Sequence, residues 1–158
     1  MAILAEERQE NVERALFAYI STNYTLTAKW LEGENSFDTR TVSEYVEFSV
    51  VGEMPNTFHR QVSPHNTRKG NTIPLLVQAV ISQKPTTNIT RTAAIRDTIT
   101  NLLRRAKIQI LDRVGGSNSP LGYIFGEGLI RSMDAGEEND MRKYALLFRM
   151  DYLEEFEP

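Results

Sequence analysis

The feature that most constrains the fold is the stretch Thr72–Lys107, in which a strand, a turn and an amphipathic helix follow one another directly. Residues 73–81 are almost wholly apolar, and Lys84–Asn88 contains a proline among polar residues, which is typical of a turn. The helix is predicted over about Thr90–Ala106. Its apolar stripe consists of Ala94, Ile95, Thr98, Ile99, Leu102, Leu103 and Ala106. A stripe of this width is buried by packing on a sheet.

Elsewhere the apolar pattern predicts a second main helix and several further strands. Residues 3–20 place most apolar side chains on one helical face and most charged ones on the other. Alternation of apolar and polar residues predicts strands over residues 24–31, 42–51, 121–133 and 142–153. Residues 107–111 either extend the helix that precedes them or begin another short strand.

The last two predicted strands form a hairpin. The acidic stretch Asp134–Asp140 predicts its turn, and Gly126 and Gly128 predict a bulge or bend in the strand before that turn. Residues 154–157 contain three glutamates and predict a polar tail after the second strand.

A long segment, residues 52–71, separates two of the predicted strands. It contains two prolines, and loops longer than about 12–15 residues in compact domains are usually functional or disordered. Phe58, Arg60 and Val62 alternate within it, so part of it is expected to form a short strand. The whole chain therefore predicts an α+β fold with a mainly antiparallel twisted sheet and two main helices packed on one face. A long extended arm or hairpin completes it, in a single domain over residues 1–158.

Composition excludes several classes of protein. The chain has no cysteine, which excludes disulfide scaffolds, thiolate metal sites and cysteine nucleophiles. Its net charge of −3 argues against a dedicated nucleic-acid binder. No apolar run approaches the ~20 residues of a membrane span, and the first residues lack the pattern of a signal peptide. These features predict an intracellular protein, at least where it is made.

The charges are distributed unevenly along the chain. Residues 1–53 carry ten acidic and four basic side chains, and residues 54–96 carry no acidic and six basic ones. Residues 97–158 carry eleven acidic and eight basic side chains. This layout reflects either ordinary solvation or a subunit with one positive and one negative surface, suited to head-to-tail contact with copies of itself.

Catalytic and cofactor motifs are not apparent in the sequence. The two histidines, His59 and His65, lie in the long segment without a nearby carboxylate, which is a weak arrangement for a base or a metal site. Gly126-Glu127-Gly128 and Gly115-Gly116 both fail the tests for nucleotide-binding motifs. We therefore expect no enzyme activity, no cofactor and no metal.

Contact residues are expected in the basic middle of the chain and in the acidic turn, because surfaces of opposite charge attract each other. The candidates for contacts with other subunits or partners are Phe58, Arg60, Arg68, Lys69, Arg91, Arg96, Glu137, Glu138 and Asp140.

The order helix, two strands, long arm, strand, amphipathic helix and late hairpin resembles the tail terminator proteins of long-tailed bacteriophages, which are also called tail completion or tail-to-head joining proteins. The segments that prompt the comparison are Arg60–Ser63, Gly70–Ala79, Ala93–Leu103 and Tyr144–Met150. The likeness covers most of the chain but concerns architecture and pattern, since the family has no sharp signature motif and no catalytic residues.

This resemblance implies a structural virion protein. It would form a ring, usually a hexamer, on top of the tail tube, where it ends tube growth and joins the tail to the head. Its partners would be copies of itself, the tail tube protein and a head-side connector or stopper protein, while DNA passes through the lumen without specific binding. It would be assembled in the host cytoplasm and end in the virion tail or neck, with no membrane contact.

Three alternatives are open. The first is another neck or connector component, because residues 31–42 are longer than the plainest members need. The second is a binding module, a regulator or adaptor whose basic surface over residues 54–96 holds an acidic partner or nucleic acid. The third is a small hydrolase that uses His59 and His65 as bases, which full activity after His59→Ala and His65→Ala would remove.

Overall fold

The computed structural model describes residues 8–32, 41–53, 58–61, 69–85, 89–138 and 140–156. Two helices and seven strands follow one another along these residues. They are α1 (Arg8–Asn23), β1 (Ala28–Leu31), β2 (Glu44–Glu53), β3 (Phe58–Gln61), β4 (Lys69–Gln83), α2 (Ile89–Leu103), β5 (Lys107–Leu111), β6 (Pro120–Glu138) and β7 (Met141–Phe156).

Six strands lie side by side in the order β1-β2-β4-β7-β6-β5. β1 runs parallel to β2, and every other pair is antiparallel. β3 pairs with the first residues of β4, on the edge that β2 occupies further along the same strand. The prediction of an α+β fold with a mainly antiparallel sheet is therefore confirmed. Residues 54–57 and 62–68, which belong to the predicted arm, lie outside the described residues.

The centre of the sheet is the pair β4–β7, which stays in unbroken register from Lys69 opposite Phe156 to Gln83 opposite Arg142. At about 3.4 Å per residue in an antiparallel strand, this pair is roughly 48 Å long. It gives the sheet two well-separated ends.

Both helices contribute to one core that covers a single face of the sheet. Alternate residues of β4 from Ile73 to Ile81 and of β7 from Leu146 to Tyr152 are buried in it. α1 and α2 are tied to each other by the Tyr19 hydroxyl, which donates a hydrogen bond to the carbonyl of Leu102 (2.9 Å). The intervening residues of β4 and β7 form the second face, where Leu76, Val80 and Leu147 are only half-buried.

The apolar stripe of α2 is narrower than its sequence predicts. Ile95, Ile99 and Leu103 are buried and Leu102 is half-buried against the core, whereas Ala94 and Thr98 are exposed. The helix also ends earlier than expected. Arg105 adopts a left-handed backbone (φ 58°) that turns the chain into β5, so residues 107–111 form a strand and do not extend the helix.

α1 and β1 also differ from the prediction. The helix continues through Asn23, and the amide of Tyr24 still donates a hydrogen bond to the carbonyl of Ile20 (2.9 Å). Because the helix extends this far, β1 begins only at Ala28. The strand predicted over residues 24–31 is therefore confirmed only for Ala28–Leu31, and Leu26 is exposed. Tyr24 is nevertheless buried, with its ring edge-on to Phe48.

The hairpin β6–β7 is longer than predicted at both ends. Residues 134–138 belong to β6 and do not form a turn. A register shift at Gly136 (φ 84°) accommodates one extra residue in β6, so that β6 stays paired with β7 as far as Glu138. β7 likewise continues through residues 153–156, the first part of the predicted polar tail, because backbone pairing with β4 requires no apolar side chains. The predicted bulge is confirmed by the register shift between Gly126 and Gly128.

Candidate functional site

The predicted contact residues of the arm lie on one hairpin. Phe58 and Arg60 belong to β3, Lys69 begins β4, and the strands pair Arg60 with Gly70. Arg68 lies outside the described residues, and the side chains of the other three are likewise not described. Their backbone positions place them at the Lys69 end of the sheet.

Arg91 has a partner within the chain. Its Nε donates to both carboxylate oxygens of Glu44 (2.9 and 3.2 Å), and its terminal nitrogen also contacts that carboxylate. This hydrogen bonding lowers the pKa of Glu44 below its ordinary value. Because the pair joins the first turn of α2 to β2, the structure gives Arg91 an internal role in holding the helix on the sheet.

Arg96 lies at the opposite end of the sheet from the arm, beside Tyr144. Its Nη1 donates to the Tyr144 hydroxyl (3.4 Å), and its guanidinium carbon lies 5.9 Å from the ring centroid. Hydrogen bonds with Ser132 and then Arg96 lower the pKa of the Tyr144 hydroxyl. Tyr144 thus contacts the guanidinium with both its hydroxyl and its ring, while Arg96 remains half-exposed.

A cleft of about 430 Å³ opens at this position, between the first half of α2 and the ends of β4, β6 and β7. We call it the basic cleft. Its lining residues are Gln83, Lys84, Ile89, Thr92, Ala93, Arg96, Asp134, Arg142, Lys143 and Tyr144. Four of these side chains are cationic and one is anionic.

Among the described residues, one of the four cations in the basic cleft has a carboxylate within salt-bridge distance. Lys143 contacts Glu138 at 3.6 Å, but no described carboxylate lies within 4.0 Å of the charged groups of Lys84, Arg96 or Arg142. The first turn of α2 adds no acidic side chain to the same region.

The predicted acidic residues border this cleft. Glu137 pairs in register with Arg142, Glu138 with Met141, and Asp140 (φ 61°) turns the chain between the strands. The structure therefore brings Arg96 together with Glu137, Glu138 and Asp140 at one end of the sheet. It does not bring them together with the arm residues, which lie at the other end.

Sequence reasoning missed Lys84, Arg142 and Lys143 as members of one cluster. Lys84 is far from Arg142 and Lys143 along the chain and meets them because Gln83 lies opposite Arg142 in the β4–β7 pair. The sequence predicts both long strands but not their register, because residues 73–81 are almost wholly apolar and carry no alternation that would fix it.

The second candidate surface is an apolar strip on β6. Its members have 38–52% of their area exposed, and they are Tyr123, Phe125, Leu129, Ile130 and Met133. Phe125 and Met133 lie opposite Asp151 and Ala145 on the second face of the sheet, whereas Leu129 lies opposite the buried Phe148, so the strip includes both faces of β6. β5 pairs with β6 only as far as Phe125. Beyond that residue, one edge of β6 has no neighbouring strand among the described residues.

The described residues show few features of a catalytic or metal-binding site. They include no group of three or more potential metal ligands. His59 lies on β3, and His65 lies outside the described residues. Neither described helix is long and apolar enough to cross a membrane.

Comparison with known proteins adds no family. No family model matches the chain. No curated protein matches it either. The likeness to tail terminator proteins thus depends on the order of elements and on the residues quoted for it.

Proposed function

We propose that this chain is a structural virion protein that assembles into a hexameric ring at the top of a bacteriophage tail tube. There it ends tube growth and joins the tail to the head or neck. The observation that carries the proposal is the apolar strip on β6, which lies beside a strand edge that β5 leaves uncovered.

The strip and the edge together favour association. Exposed apolar side chains gain free energy when a partner removes them from water, and an unpaired strand edge offers hydrogen-bonding groups to a second chain. The pairing of β6 with β7 has register shifts at three places, each of which puts an extra residue into β6. Bulges of this kind limit uncontrolled strand addition and favour one defined contact.

A closed ring also requires two different surfaces on each subunit. The basic cleft and the apolar strip of β6 are two such surfaces among the described residues, one cationic and one apolar. We further propose that residues 52–71 form an arm that reaches the neighbouring subunit or the tail tube protein below.

The net charge suits a ring through which DNA passes. At −3, the subunit repels phosphate overall, and phosphate contacts dominate affinity for DNA. The remaining partners in this proposal are the tail tube protein and a head-side connector or stopper protein, in a particle assembled in the host cytoplasm.

Imaging of purified virions tests this function. We expect density for this chain as a ring at the top of the tail tube, with β6 at a subunit boundary. Density elsewhere in the particle, or none at all, would refute the proposal.

A second candidate is a binding module that uses the arm. It is favoured by the pairing of β3 with β4, which places Arg60 and Lys69 on one hairpin. Changing Arg60, Arg68 and Lys69 to glutamate would then abolish binding to an acidic partner, and added salt would weaken binding by the unchanged protein. Unchanged binding by the triple variant would remove this candidate.

A further inference from the structure

The basic cleft has the size and shape of a site for part of a ligand. Its volume of about 430 Å³ lies within the range of pockets that enclose small molecules or a few side chains. It is lined by two helical turns on one side and three strand ends on the other, so its walls belong to regular elements. Such walls hold the lining groups in place before a ligand arrives.

The charges in this cleft favour an anion. Lys84 and Arg142 are exposed at its opening and have no described carboxylate partner. Arg96 contacts Tyr144, and its half-exposed guanidinium has the planar N–H groups that match a carboxylate or phosphate. Bringing an anion among these cations removes their mutual repulsion, which favours binding.

The apolar groups in the cleft favour a ligand that also has an apolar part. Ile89 stands at its edge with 85% of its surface exposed, and the side chain of Ala93 lines the same wall one helical turn later. An isoleucine this exposed beside four cations is best covered by an apolar side chain adjacent to acidic ones.

Nucleic acid fits this site less well. Among the described residues of the lining, Tyr144 is the one aromatic side chain, and Arg96 already contacts its ring, so these residues offer a base no free stacking platform. Asp134 adds a carboxylate to the lining of the cleft. This carboxylate would repel the continuous row of phosphates in a nucleic acid. In a peptide the carboxylates are spaced apart by neutral amide groups, so the repulsion is weaker.

We propose that the basic cleft binds an acidic peptide segment of a partner protein, with an apolar side chain covering Ile89 and carboxylates meeting Arg96, Arg142 and Lys84. The proposal holds whether or not the protein forms a ring, because it concerns one end of a single subunit.

Fluorescence anisotropy with a short labelled peptide of alternating glutamate and leucine tests this site. The matched peptide has glutamine at each glutamate and should bind at least about 10-fold more weakly, because charge complementarity is lost. Lys84→Glu combined with Arg142→Glu should weaken binding of the glutamate peptide by at least about 10-fold as well. Both residues are exposed, so folding should be preserved, and circular dichroism verifies this.

The control is Arg104→Glu combined with Arg105→Glu, which makes the same change in net charge at the other end of α2. It should alter affinity by less than about twofold if the contact is local. Ile89→Ser should weaken binding by about threefold or more, since it removes the apolar contact.

Three results would overturn the proposal. The first is equal binding of the glutamine peptide. The second is an equal loss of affinity in the Arg104 and Arg105 control, which would mean that only net charge matters. The third is displacement of the peptide by oligothymidylate at lower concentration than by unlabelled peptide, which would identify the site as one for nucleic acid. Imaging of virions decides the ring separately.

Discussion

Gly126 is the residue at which β6 comes closest to the end of α2. Its amide donates to the carbonyl of Ala106 (2.8 Å), and a Cβ atom at this position would lie 1.9 Å from the carbonyl oxygen of Leu103. Both neighbours are backbone atoms at the helix end and have little freedom to move. Glycine is therefore required here by space.

We predict that Gly126→Ala destabilises the protein by at least about 2 kcal/mol, because the added methyl group must separate β6 from the end of α2. Chemical denaturation measures the free energy of unfolding. Glu127→Ala, at the exposed neighbouring residue, should change that free energy by less than about 0.5 kcal/mol. Equal effects of the two substitutions would contradict the close approach.

The Glu44–Arg91 pair gives a prediction about pH. Because Arg91 lowers the pKa of Glu44 in the folded chain below its ordinary 4.5, the pair stabilises the protein above that value. This contribution is lost as pH falls through the lowered pKa. Arg91 is 37% exposed, so screening by water limits the contribution to about 1 kcal/mol.

Glu44→Gln should therefore lower the Tm at pH 7, and the difference from the unchanged protein should shrink as the pH falls below about 4. Thermal melts across this range measure it. Glu10→Gln breaks the pair with Arg14, in which both side chains are 53% exposed, and should have little effect at any pH. A difference at Glu44 that does not change with pH would exclude the pair as its cause.

Individual contacts of this kind were the least predictable part of the chain. Arg91 looks like a surface cation in the sequence, and only the pairing of β2 with β4 reveals that Glu44 lies beneath it. Arg91 and Arg96 were both predicted as contact residues, and Arg96 lines the basic cleft. Both belong to the same basic stretch, so local sequence could not separate the cation that pairs with a carboxylate of its own chain from the one that lines the cleft.

Among the elements, the loop after β5 depends on a single side chain of α1. The Asn11 carbonyl oxygen accepts hydrogen bonds from the amides of Arg113 (3.0 Å) and Val114 (3.1 Å), and Asn11 is 1% exposed. Within the loop, the Asp112 carboxylate accepts from the Ser117 hydroxyl and the Gly115 amide, which lowers the pKa of Asp112. The glycine-rich loop is thus ordered by specific bonds.

Asn11→Ala should cost about 1–3 kcal/mol, because it leaves two amides near the helix without their acceptor. Urea unfolding measures this loss. Asn23→Ala removes only an exposed bond from the Asn23 side chain to the carbonyl of Tyr19, and should cost markedly less. Equal costs would show that the loop does not depend on Asn11.

The apolar strip of β6 gives a prediction about association. Ile130→Lys combined with Met133→Lys should reduce ring formation on tail tubes by about 10-fold or more while leaving the Tm nearly unchanged, since both side chains are exposed in the subunit. Electron microscopy of assembly mixtures counts the rings. Gln109→Lys, an exposed change on β5, is the control. Normal rings from the double variant would remove β6 from the interface.

Strand periodicity was a good guide to the elements and a poor guide to their ends. β7 was predicted because alternate residues are apolar, and those from Leu146 to Tyr152 are buried. β4 was predicted from an almost wholly apolar run, of which the structure buries alternate residues in the helix-covered core. In β6, the apolar residues Leu129 and Met133 are exposed. The pattern of apolar residues in a strand indicates which side chains favour burial, but it does not show whether a helix, another strand or a second protein buries them.

At the scale of the whole molecule, the structure distributes the charged residues in space in a way that their order along the sequence does not indicate. The basic stretch is divided between the two ends of the β4–β7 pair, with Lys69 at one end and Lys84 at the other. The acidic residues 137–140 border the second end, so positive and negative groups meet there. A simple subunit with one positive and one negative side is therefore too coarse a description.

The long pairing of β4 with β7 also has a kinetic consequence. Its partners are separated by roughly 60–90 residues along the chain, and α2, β5 and β6 lie between them. The chain loses the entropy of closing this large loop before the contacts between β4 and β7 form and stabilise the pair. Folding should therefore be slow for a domain of this size, on the scale of milliseconds to seconds. Until β7 pairs with β4, the backbone hydrogen-bonding groups along one whole edge of β4 have no partner strand. The nascent chain is most prone to aggregation at this stage.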